Sequence, residues 1–153
     1  MKRFLLLQMV LVISASAQQW IEADNKDLIT GKTTVSFGLR SQPPDNALLS
    51  VSCSSNGKYA NIGLIPGFQV KRQEANPYSD LIHIRSRMDS KIKTFPGFLV
   101  GDRDNEVRLS LAPKGFLTSK EIVLQLTEFA GPIHQIVFKL DGPPPLPQKC
   151  LNQ

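Results

Sequence analysis

The chain has 153 residues, of which 41% are hydrophobic, and a formal net charge of +5 at pH 7. This length suits one domain around one core and leaves too little chain for a second domain. The positive side chains are scattered among apolar and acidic residues and lack clustered aromatic neighbours. Composition and charge therefore argue against a nucleic-acid-binding protein.

Residues 1–17 have the pattern of a cleavable signal peptide. Lys2 and Arg3 precede an apolar run, and small residues end at Ala17, where signal peptidase would cut. We expect cleavage before Gln18, and subtracting the two basic residues from +5 leaves a mature charge of +3. A membrane anchor is the alternative, but a spanning helix needs about 20 apolar residues. The protein is therefore expected to be exported, periplasmic or secreted, with no membrane span in its mature chain.

Beyond the leader, apolar residues recur with a period of two, which is typical of strands with one buried face. Turn signals such as Pro43-Pro44, Asn56-Gly57 and Gly131-Pro132 separate these runs. The predicted strands cover residues 35–39, 47–53, 59–65, 68–72, 81–85, 106–111, 121–129 and 133–140.

Between these strands, residues 88–101 look irregular, and a brief helical turn is predicted near residues 114–119. No stretch of the mature chain shows a sustained helical face. Short strands with closely spaced turns indicate an all-β fold. We predict an antiparallel two-sheet sandwich, or a partly open barrel, over residues 18–142.

Cys53 and Cys150 are the two cysteines of the chain. Because exported proteins usually meet an oxidising compartment, we predict that the two form a disulfide bond. Two unpaired thiols or a bridge between chains are the alternatives. The proline-rich tail, residues 143–153, is predicted to run extended and to carry Cys150 back to Cys53. The competing interpretation of the tail is a ligand for a proline-reading domain.

The sequence contains few candidate catalytic residues. His83 and His134 are the two histidines, and no Gly-x-Ser-x-Gly motif accompanies them. Asp102 and Asp104 lie close together, but their spacing is more typical of a solvated turn than of a pair of catalytic carboxylates. Two histidines without nearby ligands do not complete a zinc site. We expect no catalytic residue, no metal and no cofactor.

Two groups of residues are candidates for binding. Trp20 stands at the start of the mature chain and is predicted to cover one end of the sandwich, with a partner-facing role as the alternative. Arg85, Arg87, Lys91 and Lys93 form a basic stretch that is a candidate for contact with an anionic surface.

Several short segments, taken together, resemble an exported bacterial family associated with type VI secretion, the VasI-like group. The matching segments are Trp20, Asp27-Leu28-Ile29-Thr30-Gly31-Lys32-Thr33-Thr34-Val35, Leu49-Ser50-Val51-Ser52-Cys53, Phe116-Leu117, Ile122-Val123-Leu124-Gln125-Leu126, Val137-Phe138-Lys139-Leu140-Asp141-Gly142 and Cys150. The family usually has a short helix before its final cysteine, where this chain has a proline run. The resemblance implies a shared sandwich and disulfide, and it supplies no catalytic residues.

These observations lead to one preferred function and two alternatives. The preferred function is an exported, non-enzymatic protein-interaction module of the bacterial envelope, associated with type VI secretion through the resemblance. Its partner would be another envelope or secreted protein, met through exposed strand edges. The first alternative is a secreted enzyme or enzyme inhibitor acting on cell-wall or extracellular polymers. The second is adhesion to an anion or a charged surface.

Overall fold

The computed structural model describes residues 19–26, 33–54, 59–72, 79–109 and 111–151. The predicted signal peptide, residues 1–17, lies outside the described residues. So do residues 27–32, which carry part of the family resemblance, and the predicted Asn56-Gly57 turn.

The described chain is mainly an antiparallel β-sheet. Its strands are β1 (Ile21–Lys26), β2 (Thr33–Arg40), β3 (Leu48–Cys53), β4 (Ala60–Ile65), β5 (Leu81–Met88), β6 (Lys91–Val100), β7 (Glu106–Arg108), β8 (Glu121–Thr127) and β9 (Ile133–Lys139). A 3₁₀ helix, Phe116–Thr118, follows β7, and a short helix α1, Gln148–Leu151, ends the described chain. The order across the sheet is β1-β2-β3-β4-β7-β6-β5-β8-β9.

The prediction of an all-β antiparallel fold is confirmed. Its finer form, two separate sheets packed as a sandwich, is not confirmed, because the pairing runs without a break from β1 to β9. The short strand β7 makes the connection. It pairs with β4 at Gly63 and Leu64 and with β6 over residues 98–100. The result is one open nine-stranded sheet in the described part of the chain.

The core lies on one face of this sheet, as the alternating sequence predicts. In β8, for example, Ile122, Leu124 and Leu126 are buried while the residues between them are half-buried. No layer of helices covers this face in the described chain, so the sheet must fold over its own apolar side. A direct link supports this curvature: the Gln42 amide, after β2, donates to the Val137 carbonyl of β9 over 2.7 Å.

Several elements differ from the sequence prediction. Strand β1 was not predicted, and β6 occupies the stretch that looks irregular because Pro96 and Gly97 interrupt its pattern. An added Cβ at Gly97 would lie 2.5 Å from the Ile84 side chain, so a larger residue there would force Ile84 to shift. The strand expected at residues 68–72 is reduced to a single bridge between Val70 and Glu128.

The predicted disulfide between Cys53 and Cys150 is confirmed, with the two Cα atoms 6.0 Å apart. The proline-rich segment carries the chain from β9 to Cys150 and ends in α1, a helix that was not predicted. Leu146, within that segment, packs against the core. The tail thus fastens the end of the chain to the end of β3. No helix among the described residues is long and apolar enough to cross a bilayer.

Candidate functional site

Four connections meet at one end of the sheet, which we call the loop end. They join β2 to β3, β4 to β5, β6 to β7 and β8 to β9. Antiparallel pairing brings them together, since Val100 near the end of β6 lies opposite Glu106 at the start of β7, and Leu64 near the end of β4 lies opposite Val107. Two clusters of charged side chains lie here, and we name them after Arg72 and His134.

The Arg72 cluster joins the β4–β5 connection to the β6–β7 turn. Arg72 donates from Nε and Nη2 to the two carboxylate oxygens of Asp104, at 2.8 and 2.7 Å. Its Nη1 donates to Asp80 at 3.0 Å. These contacts, above all the hydrogen bonds to Asp104, raise the pKa of Arg72 above its ordinary value. Asp104 is only 7% exposed, so its charge is compensated by Arg72 and not by water.

The His134 cluster joins the β2–β3 loop to the β8–β9 hairpin. The imidazole of His134 lies with Nδ1 2.9 Å from Asp45 Oδ1 and with Nε2 3.0 Å from Glu128 Oε2. Its ring stacks on Phe68 at a centroid distance of 4.1 Å. Both nitrogens can donate only when the ring is protonated. The hydrogen bonds to Glu128 and Asp45 accordingly raise the pKa of His134 above 6.5.

This raised pKa predicts a pH-dependent stability. The folded state binds the proton of His134 more tightly than the unfolded state, so the stabilisation is complete below the unfolded pKa and is lost as the pH rises through the folded pKa. We expect the free energy of unfolding to fall as the pH rises from about 6 to about 9, and the fall to be smaller in His134→Gln. Urea unfolding across this range measures it.

The matched control for this prediction is His83→Gln, which removes the other histidine of the chain. The fall in stability with rising pH should be larger in that variant than in His134→Gln, because it retains the contacts of His134 with Glu128 and Asp45. Equal slopes for the unmodified protein and His134→Gln would contradict the prediction.

Of the polar residues weighed as catalytic candidates, Asp104 and His134 belong to the two clusters, and His83 lines a depression together with Arg72. Asp104 is bound by Arg72, and both nitrogens of His134 are engaged by carboxylates. Asp102 is exposed in the β6–β7 turn, and His83 is exposed on β5. The described residues also contain no group of three or more His, Cys, Asp or Glu side chains suited to hold a metal ion. Each cluster joins two of the connections at the loop end.

The four basic candidates are divided between the two sides of the sheet. Arg85 and Arg87 alternate with the buried residues of β5 and so face outward. Lys91 and Lys93 lie opposite the buried Met88 and Ser86, which places them on the other side of β6, although both are exposed. The structure therefore brings together the two arginines and separates them from the two lysines.

Trp20 immediately precedes β1 and is half-buried against the core. Its indole Nε1 donates to the carbonyl of Gly142, beyond β9, over 3.1 Å. The side chain therefore links the two ends of the described chain.

The two outermost strands differ in how much of their backbone is free. β9 is partly covered, because its Val137 carbonyl accepts from Gln42. β1 pairs with β2 over all six of its residues, and no other described strand pairs with it. Sequence reasoning missed β1, since Ile21–Lys26 shows no clear alternation of apolar residues. Its exposed edge is the longest stretch of unpaired strand backbone at either margin of the described sheet.

Comparison with known proteins found no matching family model, no similar curated protein and no similar solved structure. The resemblance to the VasI-like group therefore stays a prediction from short sequence matches.

Proposed function

We propose that the protein is an exported, non-enzymatic protein-interaction module, and that the free edge of β1 is its contact surface. The association with type VI secretion, implied by the sequence resemblance, is part of this proposal. The partner is another envelope or secreted protein that adds an extended segment alongside β1.

The observation that carries the proposal is the unpaired edge of β1 among the described strands. An edge strand presents a row of backbone donors and acceptors that an incoming strand satisfies, and this gives binding energy without requiring a pocket. The edge is six residues long, and Ile21 at its start is 60% exposed. Glu22 and Asp24 are also exposed, and their charges would limit pairing between copies of this chain.

The arrangement of polar groups agrees with this proposal. Within each of the two charged clusters at the loop end, the charged side chains pair with one another. Asp104 and both ring nitrogens of His134 are engaged in these contacts. The alternative of an enzyme or inhibitor acting on extracellular polymers has no comparable observation in its favour.

Site-specific photo-crosslinking tests the proposal. A benzophenone amino acid replaces Ala23 in the middle of β1, and the full chain is produced in its native cells. The matched control places the same aromatic group at Phe98, which is 39% exposed but lies on β6, between two paired strands. We expect irradiation to give one discrete protein adduct at Ala23 and none at Phe98.

The identity of the adduct separates the two parts of the proposal. A type VI secretion component would support both parts, whereas a partner from another system would remove the secretion role and retain the interaction module. Absence of an adduct at Ala23, or equal adducts at both positions, would overturn the β1 edge as the contact surface.

A further inference from the structure

The outer face of the sheet carries a shallow depression of about 200 Å³ over β5, β6, β8 and β9. We call it the outer depression. The side chains that line it and matter here are Arg85, Arg87, Ile92, Val123, Gln125 and Gln135. The arginines and glutamines supply long hydrogen-bonding side chains, and Ile92 and Val123 supply a small apolar surface.

The strand register explains why these residues meet. Residues directly opposite each other in an antiparallel pair share a face of the sheet. Arg85 lies opposite Thr94 of β6 on one side and opposite Gln125 of β8 on the other, and Gln125 lies opposite Gln135 of β9. One polar row thus crosses four strands. The neighbouring row places the apolar Ile92 and Val123 on either side of Arg87.

The two arginines of the outer depression differ in whether a nearby acidic group compensates their charge. Arg87 is neutralised, because its Nη2 lies 2.7 Å from Glu121 Oε1 and its Nη1 donates to the Asp89 carbonyl. The guanidinium of Arg85 has no hydrogen-bond or ion-pair partner among the described residues. Glu121 is the one acidic side chain at the outward positions of these four described strands. The depression therefore contains one uncompensated guanidinium, with the amide of Gln125 on the neighbouring strand and that of Gln135 one strand further along the same row.

This combination fits an anionic sugar. A guanidinium binds a carboxylate through two parallel hydrogen bonds. The amides of Gln125 and Gln135 both donate and accept, as sugar hydroxyls require. The apolar Ile92 and Val123 offer a surface to the non-polar face of a sugar ring. We propose that the outer depression binds a carboxylate-bearing sugar of an extracellular or envelope polysaccharide.

The proposed sugar site does not depend on the protein-interaction role. The outer depression lies on β5, β6, β8 and β9, whereas the contact surface proposed above is the edge of β1, at the opposite margin of the sheet. Failure of either proposal would leave the other standing.

Calorimetric titration of the full chain with purified uronic-acid tetramers, oligogalacturonate and oligomannuronate, tests the proposal. Neutral galactose tetramers serve as the comparison ligand, and the buffer contains about 150 mM salt so that diffuse attraction is screened. We expect at least one acidic tetramer to bind and the neutral tetramer not to bind. Arg85→Gln should weaken the binding by about tenfold or more, because it removes a charged hydrogen bond.

Arg108→Gln is the matched control, since Arg108 is also an exposed arginine in a strand of the same sheet. It should leave the affinity unchanged. Gln125→Ala should weaken binding to a smaller extent than Arg85→Gln. Equal losses in Arg85→Gln and Arg108→Gln, equal binding of neutral and acidic tetramers, or no binding of either acidic tetramer would overturn the proposal. Tighter binding of glucose 6-phosphate than of the acidic tetramers would overturn the choice of a carboxylate.

Discussion

Replacing both Cys53 and Cys150 with serine is expected to lower the free energy of unfolding by about 2 to 4 kcal/mol. The disulfide joins residues separated by 97 positions, so its loss frees a long loop in the unfolded chain. The effect should be large because the closed loop contains most of the sheet, from β4 through β9. Urea denaturation of the double variant and the unmodified protein measures the difference.

Reduction of the unmodified protein is the control for this prediction. It breaks the bond but keeps both sulfur atoms in place, whereas the serine variant also places a hydroxyl where Cys150 is fully buried. The reduced protein should therefore show most of the same loss. A double variant as stable as the oxidised protein would show that the disulfide contributes nothing to the fold.

Replacing Phe116 with alanine is expected to destabilise the fold by about 3 to 5 kcal/mol. Phe116 belongs to the 3₁₀ helix after β7 and is 2% exposed. Its ring meets Phe95 of β6 edge to face, with centroids 5.9 Å apart. Because β7 has only three residues, it covers little of the core by itself. Removing the ring would leave a cavity beneath the link between the two halves of the sheet.

Leu111→Ala is the matched control, since Leu111 lies in the same connection but is 59% exposed. It should change the free energy of unfolding by no more than about 0.5 kcal/mol. Equal effects of the two variants in urea denaturation would contradict the assignment of Phe116 to the core.

The strands that the sequence predicted best are those with strict alternation. In β8 and β9, a period of two matches one buried face, and Gly131-Pro132 supplies the turn between them. β1 and β6 escaped prediction for different reasons. Ile21–Lys26 has little apolar content and is held as a strand by its pairing with β2. β6 contains Pro96 and Gly97, which interrupt the pattern that predicts a strand, and its pairing with β5 and β7 shows that it is one.

In the charged clusters, likewise, the sequence showed some of the residues but not the contacts between them. Asp104 and His134 stood out in the sequence as ionisable residues, but their partners did not. Arg72 is separated from Asp104 by 32 positions, and Asp45 is separated from His134 by 89. No local pattern relates residues that far apart, so only the folded sheet shows that these groups neutralise each other. The separation of Lys91 and Lys93 from Arg85 and Arg87 likewise depends on the register between β5 and β6.

The sequence by itself determined the all-β class and predicted the disulfide pairing. The first follows because alternation of apolar residues is a local property of the chain. The second follows because two cysteines in a chain expected to be exported allow only one pairing within it. The tertiary structure decided that the described strands form one open sheet, that the outer edge of β1 is unpaired among them and that Arg85 lies in one row with Gln125 and Gln135. These features depend on which strands become neighbours and in what register, and that is set by the packing of the whole core.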